Sequence, residues 1–145
     1  MAAMWRIREG ITEALSRTGA VYKYDVSAPL AELYALVEEM RRRLEPHGAA
    51  VSGFGHLGDG NLHLNIVTPD AFERRAAVTD AIEPFVYEWI AQRRGSISAE
   101  HGIGAMKPRF LHMSKTPEMI ALMCSVKALL DPRGILNPHK VLPPG

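Results

Sequence analysis

Two histidines, His56 and His63, bracket the run Leu57-Gly58-Asp59-Gly60-Asn61-Leu62, and a further pair, Glu100-His101, stands just before Gly102 and Gly104. Imidazole and carboxylate together bind divalent metals, and imidazole also changes charge near neutral pH. Asp-Gly between two apolar runs is a strong hairpin signal, because a type I′ turn needs positive φ at both central residues. With Asp59 and Gly60 as those two residues, His56 falls directly opposite His63, the Cβ atoms about 4.5–5.5 Å apart on one face. Two imidazoles so placed can share one metal ion, whereas protonating both would set like charges against each other. Asn65 shares the His63 face, while Leu57, Leu62 and Leu64 point the other way, toward a core. Glu100 would complete a two-histidine, one-carboxylate set with open positions, which suits zinc or ferrous iron. A solvated loop carboxylate is the alternative for Glu100. His101 diverges from its neighbour on an extended segment, so it reads as a general base rather than a ligand of the same ion. Asp59 reads as a turn residue only.

The elements that must position these groups follow from hydrophobic spacing. Trp5, Ile7, Ile11, Ala14 and Leu15 recur at near-helical intervals before Gly19. Residues 20–26 alternate and are rich in β-formers, so they predict a strand. Ser27 and Pro29 open a helix to about Leu44, with Leu30, Leu33, Leu36, Val37 and Met40 on its apolar face. Residues 51–56 and 62–67 predict the two hairpin strands. A helix over 70–92 carries Phe72, Ala76, Ile82, Val86 and Trp89 inward, with a kink or break at Pro84. Residues 96–99 predict a short fourth strand. Thr116–Leu130 forms the last helix with Pro117 in its first turn, ended by Asp131-Pro132-Arg133-Gly134. The order after the first helix is βαββαβ, so the fold expected is α+β, a ferredoxin-like antiparallel sheet with helices on one face, plus an N-terminal helix and a C-terminal helix and tail.

The chain has 145 residues, enough for one domain over 1–145 with a real core. A net charge of +1 gives no electrostatic case for nucleic acid or an anionic membrane as main partner. Arg41-Arg42-Arg43 continues a helical pattern as a solvated face. One cysteine, Cys124, excludes an intrachain disulfide framework and reads as a packed thiol. No apolar run approaches the roughly 20 residues of a membrane span. The N-terminus lacks a signal-peptide layout and starts directly in a helical pattern, which suggests a piece of a longer chain.

Gly55-His56-Leu57-Gly58-Asp59-Gly60-Asn61-Leu62-His63-Leu64-Asn65 resembles the metal motif of the FAD-linked oxidase C-terminal domain family. Ser98-Ala99-Glu100-His101-Gly102-Ile103-Gly104 and Leu130-Asp131-Pro132-Arg133-Gly134-Ile135-Leu136-Asn137-Pro138 are similar to its other two signatures. Val21-Tyr22-Lys23-Tyr24-Asp25 and Tyr87-Glu88-Trp89 place the chain nearest the branch acting on D-2-hydroxyglutarate; the D-lactate and glycolate branches are more distant. The resemblance implies zinc held by His56, His63 and Glu100. It implies substrate contacts from Arg8, Thr12, Lys23, Asn65 and His101, and an approach of Asn137 to the flavin. It further implies FAD bound mainly by a domain N-terminal to this region, joined in cis, and an electron acceptor such as an electron-transfer flavoprotein. A eukaryotic member would be mitochondrial and a bacterial one cytoplasmic. No G-x-G-x-x-G fingerprint runs from a strand into a helix here, since Gly53, Gly55 and Gly58 fall in the predicted hairpin, so the fragment alone is expected to be inactive.

Arg8 and Thr12 are four apart and share one helix face. A guanidinium fork and the Lys23 ammonium, with a metal, suit a dicarboxylate better than lactate. The reading is oxidation of a small 2-hydroxy acid: the metal acidifies the hydroxyl, His101 takes its proton, and hydride leaves for the flavin. The same triad would also serve a metal-dependent hydrolase or a non-haem iron oxygenase, and a ferredoxin-like sheet face could instead be a non-catalytic docking module.

Overall fold

The computed structural model describes residues 2–69 and 75–143. The chain opens with helix α1 (Ala2–Ser16), followed by strand β1 (Ala20–Ser27). A short 3₁₀ turn, Leu30–Glu32, leads into helix α2 (Leu33–Leu44), and strands β2 (Ala50–His56) and β3 (Asn61–Thr68) follow. Helices α3 (Arg75–Ile82) and α4 (Phe85–Gln92), a 3₁₀ segment Pro108–Met113 and helix α5 (Pro117–Leu130) complete it. The sheet is antiparallel with order β1-β3-β2. The fold is α+β, as the element order predicts.

The predicted fourth strand is reduced to one bridge. Ser96 pairs antiparallel with Ser27 on the outer edge of β1, where the last strand of a βαββαβ sheet belongs. Ser96 N donates to Ser27 O at 3.0 Å and Ser27 N to Ser96 O at 2.9 Å. Beyond it the chain leaves the ladder, since Ser96 Oγ donates to Ser98 O and accepts from Ser98 N and so competes with sheet pairing.

Period-two alternation divides the sheet cleanly. Tyr24, Val26, Leu62, Leu64 and Ile66 are buried against the helices, with Leu64 and Ile66 at 0 % exposure. Leu36, Val37 and Met40 of α2 and Val78, Ile82, Val86 and Ile90 of α3 and α4 close that layer. The α2 side chains come close because Gly53 carries none: a Cβ there would stand 2.5 Å from Val37 Cγ2. The helix predicted over 70–92 is two helices, broken at Pro84 as expected. Within it Val78 rather than Ala76 is the buried residue, and Phe72 lies outside the described residues. Leu30 is 54 % exposed, because its turn precedes the packed face of α2.

Helix α1 lies over the opposite, polar face of the sheet. Arg8, Ile11, Thr12 and Leu15 are half-buried there, while Trp5 and Ile7 face outward. Helix α5 starts with an N-cap, Thr116 Oγ1 accepting from Met119 N. It buries none of its side chains among the described residues. Cys124 is therefore exposed rather than packed.

Leu64→Ala removes side-chain volume from the fully buried centre of the sheet and is expected to cost about 2–5 kcal/mol of stability. Leu57→Ala, at an exposed position, is expected to stay within about 0.5 kcal/mol. Urea unfolding of both variants checks the assignment of the two leucines to different environments.

Candidate active site

The hairpin register differs from the one that a two-residue turn predicts. Phe54, not His56, is the Cα partner of His63, and His56 pairs with Asn61. The connection spans residues 57–60. Gly60 adopts φ +69° but Asp59 does not have positive φ, so the turn is not type I′. Instead Asp59 Oδ1 accepts from Asn61 N at 3.2 Å, an Asx-type turn. Leu57 falls in this loop and is 78 % exposed, not in the core. The parity survives the shift, so His56 and His63 still share a face, now diagonally. Their ring centroids are 5.6 Å apart and their planes nearly perpendicular.

Three cross-strand rows build the polar face: Lys23–Asn65–Ser52, Asp25–His63–Phe54 and Ser27–Asn61–His56. Over them lie Arg8 and Thr12 of α1, and beside them the Glu100–His101 loop. Together Arg8, Thr12, Lys23, His56, His63, Asn65, Glu100 and His101 line one cleft of about 410 Å³. Every substrate and metal residue expected from the sequence is thus brought to a single space. Asn137 is not among the cleft-lining residues; it is exposed on the tail with φ +46°.

Within the cleft His63 Nε2 lies 3.0 Å from Glu100 Oε1, and His101 Nε2 lies 3.7 Å from the same oxygen. The His63 and His101 rings stack at 5.4 Å. Adjacency in sequence therefore does not separate His101 from Glu100, because the segment bends instead of extending. Donor atoms of Asp25, His63, Glu100 and His101 all fit within 4.8 Å of one another. His56 stands apart from that group, with its Nε2 facing Arg8 Nη2 at 3.2 Å. Arg8 also bonds Glu9 at 3.0 Å and lies 5.6 Å from the Phe54 ring centroid.

Asp25 is the residue that the sequence reading passed over. It is 3 % exposed. Burial by itself would raise its carboxyl, but the backbone N–H groups of His101 and Glu100 and the Asn61 amide outweigh that and hold it below the ordinary aspartate value. An Asp on an alternating strand carries no sequence mark of this, since its partners lie 36 to 76 residues away.

Burial lowers the His63 imidazole below its ordinary value of 6.5; the Glu100 and Asp25 carboxylates oppose this, and His101 and His56 reinforce it. The unfolded chain then takes up more protons than the native one as pH drops through the unfolded value. The stability that neutral His63 contributes is complete above about pH 6.5 and is lost as pH falls toward the lower native pKa. Denaturant titrations from about pH 8 to about pH 5 should show this loss, and His63→Gln should flatten it. A His63 midpoint above 6.5 by NMR contradicts it.

Residues 1–141 match the model of the FAD linked oxidases, C-terminal domain. The chain is 59 % identical over 142 residues to the mitochondrial D-2-hydroxyglutarate dehydrogenase of Arabidopsis thaliana, covering 98 % of this chain and 25 % of that protein. It is likewise 59 % identical over 140 residues to the mitochondrial D-2-hydroxyglutarate dehydrogenase of Bos taurus, covering 97 % of this chain and 25 % of that protein. To the D-2-hydroxyglutarate–pyruvate transhydrogenase of Saccharomyces cerevisiae it is 40 % identical over 148 residues, 96 % of this chain and 29 % of that protein. The chain thus spans about a quarter of the length of the curated relatives it matches. The match over nearly its whole length places this chain in the FAD-linked oxidase C-terminal domain family.

Proposed function

We propose that the chain is the substrate- and metal-binding part of an FAD-dependent dehydrogenase that oxidises D-2-hydroxyglutarate to 2-oxoglutarate. The observation that carries this is the cleft, in which two cationic side chains, one carboxylate and three histidines face one space of about 410 Å³. Relatives at 59 % identity bear the name of that activity and are named mitochondrial, so a mitochondrial matrix location is proposed for a eukaryotic source. FAD would be held mainly by a separate N-terminal domain in cis. Exposed apolar side chains suit burial against it: Met4, Trp5 and Leu57 beside the cleft, and Leu122, Leu129 and Leu130 on α5. Asn137 on the tail is proposed to approach the flavin from the same chain. Reduced flavin would pass its electrons to an acceptor such as an electron-transfer flavoprotein.

The donor set fits a divalent cation. His63 Nε2 and Glu100 Oε1 are already at 3.0 Å, and imidazole with carboxylate is a zinc ligand pair. Ligation through His56 Nε2 requires its contact with Arg8 to open. A zinc ion held by His56, His63 and Glu100 would supply Lewis acidity toward the substrate hydroxyl, and the flavin would accept the hydride from Cα. The remaining work falls to the protein. Arg8 and Lys23 hold carboxylates, the first by a planar fork and the second as a point charge. Thr12 and Asn65 offer hydrogen bonds from the helix and the sheet floor. His101, 62 % exposed at its side chain, takes the hydroxyl proton, so that loss of proton and hydride leaves the 2-oxo acid.

In the flavin-containing enzyme, His101→Ala is expected to lower kcat by about 10²–10⁴ with flavin content unchanged. Chelation should inactivate the wild type, and zinc should restore it. Turnover unaffected by either treatment sinks the mechanism. Lys23→Ala is expected to lower kcat/KM for D-2-hydroxyglutarate by about tenfold or more, the scale of one charge-assisted hydrogen bond, and to leave D-lactate oxidation nearly unchanged. Equal losses on both acids would remove Lys23 from the distal carboxylate.

A further inference from the structure

Asp25 performs no chemistry in that reading, yet it is the most buried charged side chain among the described residues. Its Oδ2 accepts from the backbone N–H of Glu100 and of His101, each at 2.8 Å, and Ser98 Oγ lies at 3.5 Å. Its Oδ1 accepts from Asn61 Nδ2 at 2.8 Å and stands 3.9 Å from His63 Nδ1. The Glu100–His101 segment belongs to no helix or strand, and the last ladder contact before it is the Ser27–Ser96 bridge. No regular backbone pairing therefore decides where these two side chains emerge. One carboxylate oxygen bonded to two successive amides does, because charge-assisted bonds are short and directional. Asn61 gives its donor to Asp25 and leaves its own Oδ1 buried without a partner, a desolvation cost that attaches to keeping Asp25 in place.

We propose that Asp25 is the positioning residue of the cleft: it sets the path of the Glu100–His101 backbone and places a negative charge behind the His63 ring, whose Nε2 faces Glu100. At 3.9 Å from Nδ1 it acts on His63 as a charge rather than as a hydrogen-bond acceptor. A negative charge behind a ligating histidine makes its forward nitrogen a better donor to a metal. The backbone half of this proposal stands without a metal; the consequence for affinity rests on the reading above.

The 145-residue chain serves for the test, with cobalt(II) as the probe. In the wild type, the Glu100 and His101 amides should exchange at least about tenfold more slowly than those of Gly102 and Gly104. Loop-like rates at the first two overturn the proposal with no variant needed. Asp25→Asn should lose protection at Glu100 and His101 while Leu64 and Ile66 keep theirs, and should weaken cobalt(II) binding about 10–100-fold. Asp25→Glu, which keeps the charge and displaces it, should not restore affinity. Retained protection, or retained cobalt(II) affinity, in Asp25→Asn overturns it. A wild type that binds no cobalt(II) overturns the metal reading instead and leaves amide exchange to decide Asp25.

Discussion

A carboxylate buried in the middle of a strand must either lose its charge or collect donors around itself. Asp25 collects them, and the geometry of the cleft follows from where they come from. Two are the amides of Glu100 and His101, one is the Asn61 side chain from the adjacent strand, and Ser98 lies close. Each donor belongs to a segment that contributes a functional group, so satisfying one buried charge also gathers the site. The Glu100 carboxylate then meets His63 at 3.0 Å, and the His101 ring comes to rest on the same imidazole.

The sheet makes this possible by separating its two faces. One side is an apolar layer of Tyr24, Val26, Leu62, Leu64 and Ile66 under the helices α2 to α4. The other bears Lys23, Asp25, His63, Asn65 and His56, with α1 laid over it so that Arg8 and Thr12 reach the same space. Rigid elements thus hold Arg8, Lys23, His56 and His63, while the Glu100–His101 loop is held by its amide bonds to Asp25. The tail is organised in the same manner. Asp131 accepts from the Ile135 and Leu136 amides and from Lys127. The Lys127 side chain, foremost, and these amides hold its carboxyl below the ordinary value, and the apolar Ile135 and Leu136 are left exposed.

The contact between Arg8 and His56 gives the guanidinium a second partner to choose from. In this structure it bonds His56 Nε2 and Glu9. Under the proposed function, a substrate carboxylate would offer a bidentate partner of opposite charge, which an imidazole nitrogen cannot match. Anion binding by Arg8 would then release His56 for the proposed ligation.

Periodicity and turn chemistry are local, and so most of the fold was legible in the sequence. The strands over residues 20–27, 50–56 and 61–68, the break at Pro84 and Pro117 in the first turn of α5 all follow from neighbours in the chain. So does the shared face of His56, His63 and Asn65, since side-chain parity survives a shift of two in the pairing sum. The register itself did not, because Asp59 used its side chain to bond Asn61 N and made a four-residue loop of what reads as a two-residue turn. The fourth strand shrank to one bridge for a similar reason, as the Ser96 side chain took over the Ser98 backbone bonds. The sequence by itself determined which groups could do chemistry and which face of the sheet they occupy. Only the tertiary structure decided that Asp25 joins them, that His101 lies against His63, and that His56 faces Arg8. Those contacts bridge segments 38 to 76 residues apart, and no local pattern encodes a partner that far along the chain.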